Sequence, residues 1–374
     1  MKIAYFEPPR LEFLSWENDP LKLESGESLD NYTIAFESYG TLNSNKDNVI
    51  LIFHSFTSNT HVTRAYPGDS KPGWWEMIVG PNRVIDTTKY FVLCSNVIGG
   101  CNGSTGPSSI NPVTKKTYGM TFPHITIKDM VNAQVRLLKK LGIEKLYAIA
   151  GGSMGGMQAL QFAVTYPKLV DRVIVCASSA RWSPHGIAMN AIARQAIMAD
   201  PNWNNGDYYN KKFPLMGMKI ARMIAETTFF SWQGWNDLLD KRHQIERTIG
   251  FGTDKPFTIE RFLNKQATGF AEKFDPNSYI YLSRALDQFD IMNGYPSLSS
   301  ALSKCKAKFL LVSNFTDGLC TANQVDELVL AFKKNKTDYT HLKLNSADGH
   351  DSFLTDPLEL SEQIYKILED SQIS

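Results

Sequence analysis

Gly151-Gly152-Ser153-Met154-Gly155-Gly156 places a serine among glycines, where an apolar run from Leu146 to Ala150 gives way to the helix-forming stretch Gly156 to Val164. A strand that turns sharply into a helix holds the residue at the turn in a tight backbone, and flanking glycines let neighbouring chain approach where a Cβ would clash. This is the pattern of a nucleophile elbow, and Ser153 is its candidate nucleophile. The Met154 N–H, at the start of the helix, is expected to aim at the place where an oxyanion would form.

Outward from the elbow, apolar runs bounded by turn residues recur at Val49 to Phe53, Tyr90 to Cys94, Val173 to Cys176 and Phe309 to Val312. Runs of this length suit strands covered on both faces. Asp129 to Leu141 has helical spacing, with Thr126 and Asp129 as a capping box and Gly142 as a stop. Alternating strands and helices predict an α/β fold with a mostly parallel central sheet and helices on both faces. The rhythm stops between about Arg181 and Lys304, where methionine, aromatic residues and helix formers dominate, as in Met216 to Ala225. Residues 1–180 and 305–374 are therefore expected to form the core domain, with 181–304 a helical insertion. That insertion is either a cap over the carboxyl edge of the sheet or a second packing layer in which methionine fills gaps.

A serine hydroxyl is a weak nucleophile and needs an imidazole to take its proton, with a carboxylate to fix the imidazole tautomer. In an elbow fold these partners follow in the order acid, then histidine. Of the seven histidines, His350 in Asp348-Gly349-His350-Asp351 follows the alternating segment His341 to Leu344, which should be the last strand. Asp317 follows the run Phe309 to Val312 and fits the acid, whereas Asp348 suits a turn. The second oxyanion donor is expected from the loop after Val49 to Phe53, at the Phe56 N–H, and His54 reads as a core histidine satisfied by backbone.

Charge and cysteine content narrow the alternatives. A net charge of +1 without like-charge runs does not recommend nucleic acid or an anionic membrane as partner. The five cysteines contain no C-x-x-C pair, which suits a reducing compartment, and a cytoplasmic protein with small-molecule substrates is expected. The first ten residues mix charge and proline with apolar residues, so they do not read as a secretion signal, and no apolar run is long enough to span a bilayer. The scattered histidines and the absence of H-E-x-x-H predict no metal site, and no nicotinamide or flavin fingerprint predicts a cofactor.

Gly73-Trp74-Trp75, Asn96 to Cys101, Gly103 to Pro112, Gly151 to Gly156, Gly349-His350-Asp351 and the segments Ala221 to Ile224 and Arg284 to Asp290 together resemble the homoserine O-acetyltransferases of the α/β-hydrolase superfamily. The resemblance implies acyl transfer from acyl-coenzyme A, as substrate, to the homoserine hydroxyl through an acyl-Ser153 intermediate, and a homodimer formed through the cap. It also implies that Arg222 and Asp351 hold the amino-acid acceptor, with Thr57 beside them. A cation for the carboxylate and an anion for the ammonium group would suit a zwitterion. Where that family usually has T-G-D this chain has Thr57-Ser58-Asn59, and where it usually has a tyrosine near the acceptor this chain has Phe229. The same triad would serve an esterase or thioesterase with water as acceptor, or a transferase acting on serine. The fold alone would also accommodate a catalytically silent scaffold.

Overall fold

The computed structural model describes residues 11–64, 71–239 and 257–370. His243, one of the seven histidines, and the first ten residues lie outside them.

In chain order the strands are β1 (Glu12–Trp16), β2 (Leu21–Lys22), β3 (Ser28–Leu29), β4 (Tyr32–Tyr39), β5 (Val49–Phe53), β6 (Val79–Gly80), β7 (Ile85–Asp86), β8 (Phe91–Ser95), β9 (Ala148–Gly152), β10 (Arg172–Cys176), β11 (Lys308–Asn314) and β12 (Tyr339–Leu344). Eight of them form one sheet in the order β1-β4-β8-β5-β9-β10-β11-β12. From β8 to β12 every pairing is parallel, whereas β4 runs antiparallel to both β1 and β8. β5, β9 and β10 are buried along their whole length, as the apolar sequences of β5 and β9 and of β10 after Arg172 require.

Two helices flank the centre of the sheet. α1 (Ile127–Lys140) begins at a capping box in which the Thr126 side chain accepts from the Asp129 N–H while Asp129 accepts from the Thr126 N–H. α2 (Met154–Thr165) starts directly at the end of β9 and buries every residue but its last. Between β10 and β11 lie α3 (Pro184–Ala199), α4 (Leu215–Phe229), α5 (Trp232–Leu238), α6 (Thr258–Ala271), α7 (Pro276–Asp287) and α8 (Leu298–Leu302), and the chain ends through α9 (Ala322–Asn335), α10 (Ser352–Thr355) and α11 (Pro357–Glu369).

The two ends of the insertion are tied together. Trp182 N–H donates to Phe289 O, Ile291 N–H donates to Ala180 O, and the backbones of Arg181 and Asp290 pair in an antiparallel β-bridge. α8 falls beyond this neck and packs on α9, with Ala301 and Leu302 buried. α4 packs on α3 and α6 and reaches the turn that carries His350. The register Ile52↔Ala150 and Cys176↔Gly152 brings the carboxyl ends of β5, β9 and β10 to one edge, from which the loops bearing the candidate residues emerge. Among the described residues, no helix is long and apolar enough to cross a membrane.

Candidate active site

Ser153 sits at φ 56° and ψ −123°, an unfavourable conformation for a residue with a Cβ that costs on the order of 1–3 kcal/mol. Its N–H donates to Cys176 O at 3.0 Å, which anchors the turn to the end of β10. At Gly155 a Cβ would fall 2.1 Å from Phe53 O, so only glycine lets the first turn of α2 lie this close to β5.

The structure brings Ser153, His350 and Asp317 together. Ser153 Oγ lies 2.9 Å from His350 Nε2, and His350 Nδ1 lies 2.9 Å from Asp317 Oδ2. The other Asp317 oxygen accepts the Leu319 and Cys320 N–H groups, each at 2.8 Å, so the carboxylate is fully engaged. Both partners are almost completely buried. Burial opposes charge on His350, but the Asp317 carboxylate, aided by Asp351, outweighs that effect and raises its pKa above the ordinary histidine value. The Trp75 indole N–H donates to Phe353 O at 3.0 Å and braces the chain just after His350. Asp348 serves the turn, with its backbone O accepting from the Asp351 N–H and its carboxylate from Thr355 Oγ1 at 2.6 Å.

The two expected oxyanion donors, the Phe56 and Met154 N–H groups, have no hydrogen-bond partner among the described residues. Phe56 lies with Ser153 on one cavity of about 260 Å³, also lined by Thr57, Arg222, Phe229, His350 and Asp351. A larger cleft of about 410 Å³ between α3 and α7 contains none of the three relay residues. Size is therefore a poor guide here; convergent chemistry identifies the smaller cavity.

Arg222 and Asp351, named from the resemblance, both reach this cavity, and Arg222 Nη1 donates to Thr57 Oγ1 at 3.4 Å. The guanidinium is also held by a residue the sequence reading missed. Glu226 Oε1 accepts from Arg222 Nε at 2.7 Å and lies 2.6 Å from Nη2. The signal was present as an arginine and a glutamate four apart on one helix. Arg222 further lies over the rings of Phe229 and Phe270, at 5.1 and 4.7 Å from their centroids. Burial, opposed by His350 and Arg222 and reinforced by Glu226, raises the Asp351 pKa. Asn190 and Arg194 hold α3 to α7 through Asp287, at 2.9 and 2.6 Å.

The remaining described histidines stand apart from the relay. His61 faces the buried Glu37 at 3.4 Å, His341 bonds Ser313 at 2.9 Å, and His124 and His185 are exposed. His54 is buried and its pKa is pushed down to about 4 by desolvation, so the ring is neutral.

The alpha/beta hydrolase fold family model matches residues 48–246. A homoserine O-acetyltransferase of Methanohalobium evestigatum is 45% identical over 356 residues, covering 95% of this chain and 73% of that protein. The chain belongs to the homoserine O-acetyltransferase family. Among solved structures, a homoserine O-acetyltransferase from Bacillus anthracis matches with a TM-score of 0.90 at 29% identity, over 97% of this chain and 99% of that one. Esterase E22 matches with a TM-score of 0.88 at 31% identity, over 96% and 100%. The homoserine O-acetyltransferase scaffold is thus closely similar to that of a protein named for ester hydrolysis.

Proposed function

We propose that this enzyme moves an acetyl group from acetyl-coenzyme A to the side-chain hydroxyl of homoserine, in methionine biosynthesis. Ser153 Oγ attacks the thioester carbonyl while His350 takes its proton, and the Phe56 and Met154 N–H groups receive the oxyanion. The tetrahedral intermediate collapses, the C–S bond breaks, and His350 returns the proton to the departing coenzyme A sulfur. His350 then deprotonates the homoserine hydroxyl, which attacks acetyl-Ser153; the bond between the acetyl carbon and Ser153 Oγ breaks, and Oγ recovers the proton from His350. Asp317 holds the imidazole so that Nε2 can accept.

The observation that carries this reading is that Arg222 and Asp351 line the same cavity as the Ser153–His350–Asp317 relay. A zwitterion held by that pair would present its hydroxyl at an effective concentration that water cannot match, since effective molarities reach roughly 10⁵–10⁸ M. A matrix of acetyl-, succinyl- and longer acyl-coenzyme A donors against homoserine, serine and water, with products identified by mass, tests it. O-acetylhomoserine as the dominant product is expected. Coenzyme A release at one rate with or without an amino acid would contradict it.

Hydrolysis is the second reading, supported by the Glu226 carboxylate that already engages Arg222 and by the similarity to esterase E22. The exposed Ile192, Met216 and Ile220 on α3 and α4 support a homodimer formed through the insertion. All five cysteines are free and buried, which supports a cytoplasmic location.

A further inference from the structure

We infer that His54 is a positioning residue for the oxyanion site, and that the glycine-rich segment from Asn96 to Gly106 acts by bracing it. The inference rests on the reading of Ser153 as nucleophile. His54 Nε2 faces two donors, the Val97 N–H at 3.2 Å and the Asn96 side-chain amide at 3.1 Å, so this nitrogen is the acceptor. The ring is neutral, and its proton therefore sits on Nδ1, which donates to Ser55 O at 2.7 Å.

The held carbonyl belongs to the peptide that carries the Phe56 N–H. No cis peptide occurs among the described residues, so this N–H points opposite to the Ser55 carbonyl. Securing the carbonyl on the His54 side turns the N–H toward the cavity that Ser55, Phe56 and Ser153 line. The Ser58 N–H donates to the same Ser55 oxygen at 3.2 Å, and the Gln158 amide donates to His54 O at 3.3 Å, so the turn is fixed from both sides.

The brace continues behind the ring. Ser104 Oγ donates to Asn96 O at 2.6 Å and accepts from the Ala35 N–H at 2.9 Å, and Asn96 N–H donates to Ala35 O at 2.8 Å. Asn96 Oδ1 accepts from the Asn102 N–H at 3.3 Å. The loop folds tightly on itself: a Cβ at Gly106 would lie 2.2 Å from Gly100 O. A glycine-rich segment with no reacting group of its own thereby sets the direction of one N–H at the site.

The two ring nitrogens can be tested separately, because Asn places an amide nitrogen near the Nδ1 position and Gln places an amide oxygen near the Nε2 position. His54→Asn keeps a donor for Ser55 O and loses the brace. His54→Gln keeps the brace acceptor and loses the donor. The readout is the inactivation rate by a fluorophosphonate, whose phosphoryl oxygen needs the same donors whatever the natural substrate, together with kcat and KM for coenzyme A release. Loss of an oxyanion donor costs roughly 10²- to 10³-fold. Partial misdirection in His54→Gln should slow inactivation and kcat by at least about tenfold with KM within about twofold, and His54→Asn should be the faster variant.

Melting temperatures identify the variants that fold. Should His54→Gln not fold, Asn96→Ala, which removes one of the two donors to Nε2, should slow inactivation about threefold or more. Inactivation of His54→Gln at the wild-type rate, His54→Gln faster than folded His54→Asn, or an unchanged Asn96→Ala used in its place would each overturn the inference. Ser153→Ala is the control for the underlying reading. Labelling that survives Ser153→Ala removes the nucleophile, whereas labelling lost there but unchanged in His54→Gln removes only the role of His54.

Discussion

Asp317→Asn isolates what the carboxylate contributes, because it changes charge and donor pattern while keeping size. An asparagine side chain has one acceptor and one donor end, and two fixed backbone N–H groups, those of Leu319 and Cys320, already claim one Asp317 oxygen at 2.8 Å each. The amide oxygen must take that place. The reverse orientation would set an NH₂ against two N–H donors and leave both unsatisfied, at about 1–3 kcal/mol each. The NH₂ group therefore faces His350 Nδ1, now 2.9 Å from the carboxylate, and forces that nitrogen to accept. The imidazole proton moves to Nε2, which sits 2.9 Å from Ser153 Oγ and can then no longer take its proton. A wrong tautomer in otherwise intact geometry costs on the order of 10⁴ in kcat, or about 5.4 kcal/mol of barrier. The assay is acetyl-coenzyme A turnover alongside fluorophosphonate inactivation, with the melting temperature as a check on folding. Both rates should fall together in a folded protein. A loss of less than about tenfold would refute the reasoning.

The charges around the cavity set three further outcomes. Acylation requires neutral His350, and its pKa lies above the ordinary value of 6.5, so kcat/KM for acetyl-coenzyme A should fall on the acid side with a midpoint above that pH. Asp351→Asn removes one of the charges that raise it and should move the midpoint to lower pH; an unmoved midpoint in the pH profile would contradict this. Glu226→Gln removes the negative charge that compensates Arg222, so the KM for homoserine should fall on the order of threefold to tenfold relative to that for its methyl ester, which lacks the carboxylate. Equal changes for both acceptors, measured by steady-state kinetics, would contradict that outcome.

The parts of the fold that were legible in the sequence are those governed by continuous burial. β5, β8, β9, β10 and β11 announce themselves because strands covered on both faces need unbroken apolar runs. β4 was not legible, because the buried Glu37 interrupts its run; that acid accepts from the Tyr39 hydroxyl on the same strand and also meets Thr60 Oγ1 and His61, which are distant in sequence. β1 leaves Phe13 exposed at the sheet edge and carries no such pattern. The relay could be read because its three members sit at strand ends in a fixed order. Glu226 could not be assigned from order, since its place depends on how α4 lies across the cavity. His54 was correctly read as backbone-satisfied, but which carbonyl it holds is a matter of tertiary geometry.

The most direct test is mass analysis of the protein mixed with acetyl-coenzyme A before and after homoserine is added. One acetyl group should appear on the peptide containing Ser153, and homoserine should discharge it as O-acetylhomoserine. Acetyl transfer that proceeds undiminished in Ser153→Ala would contradict the account.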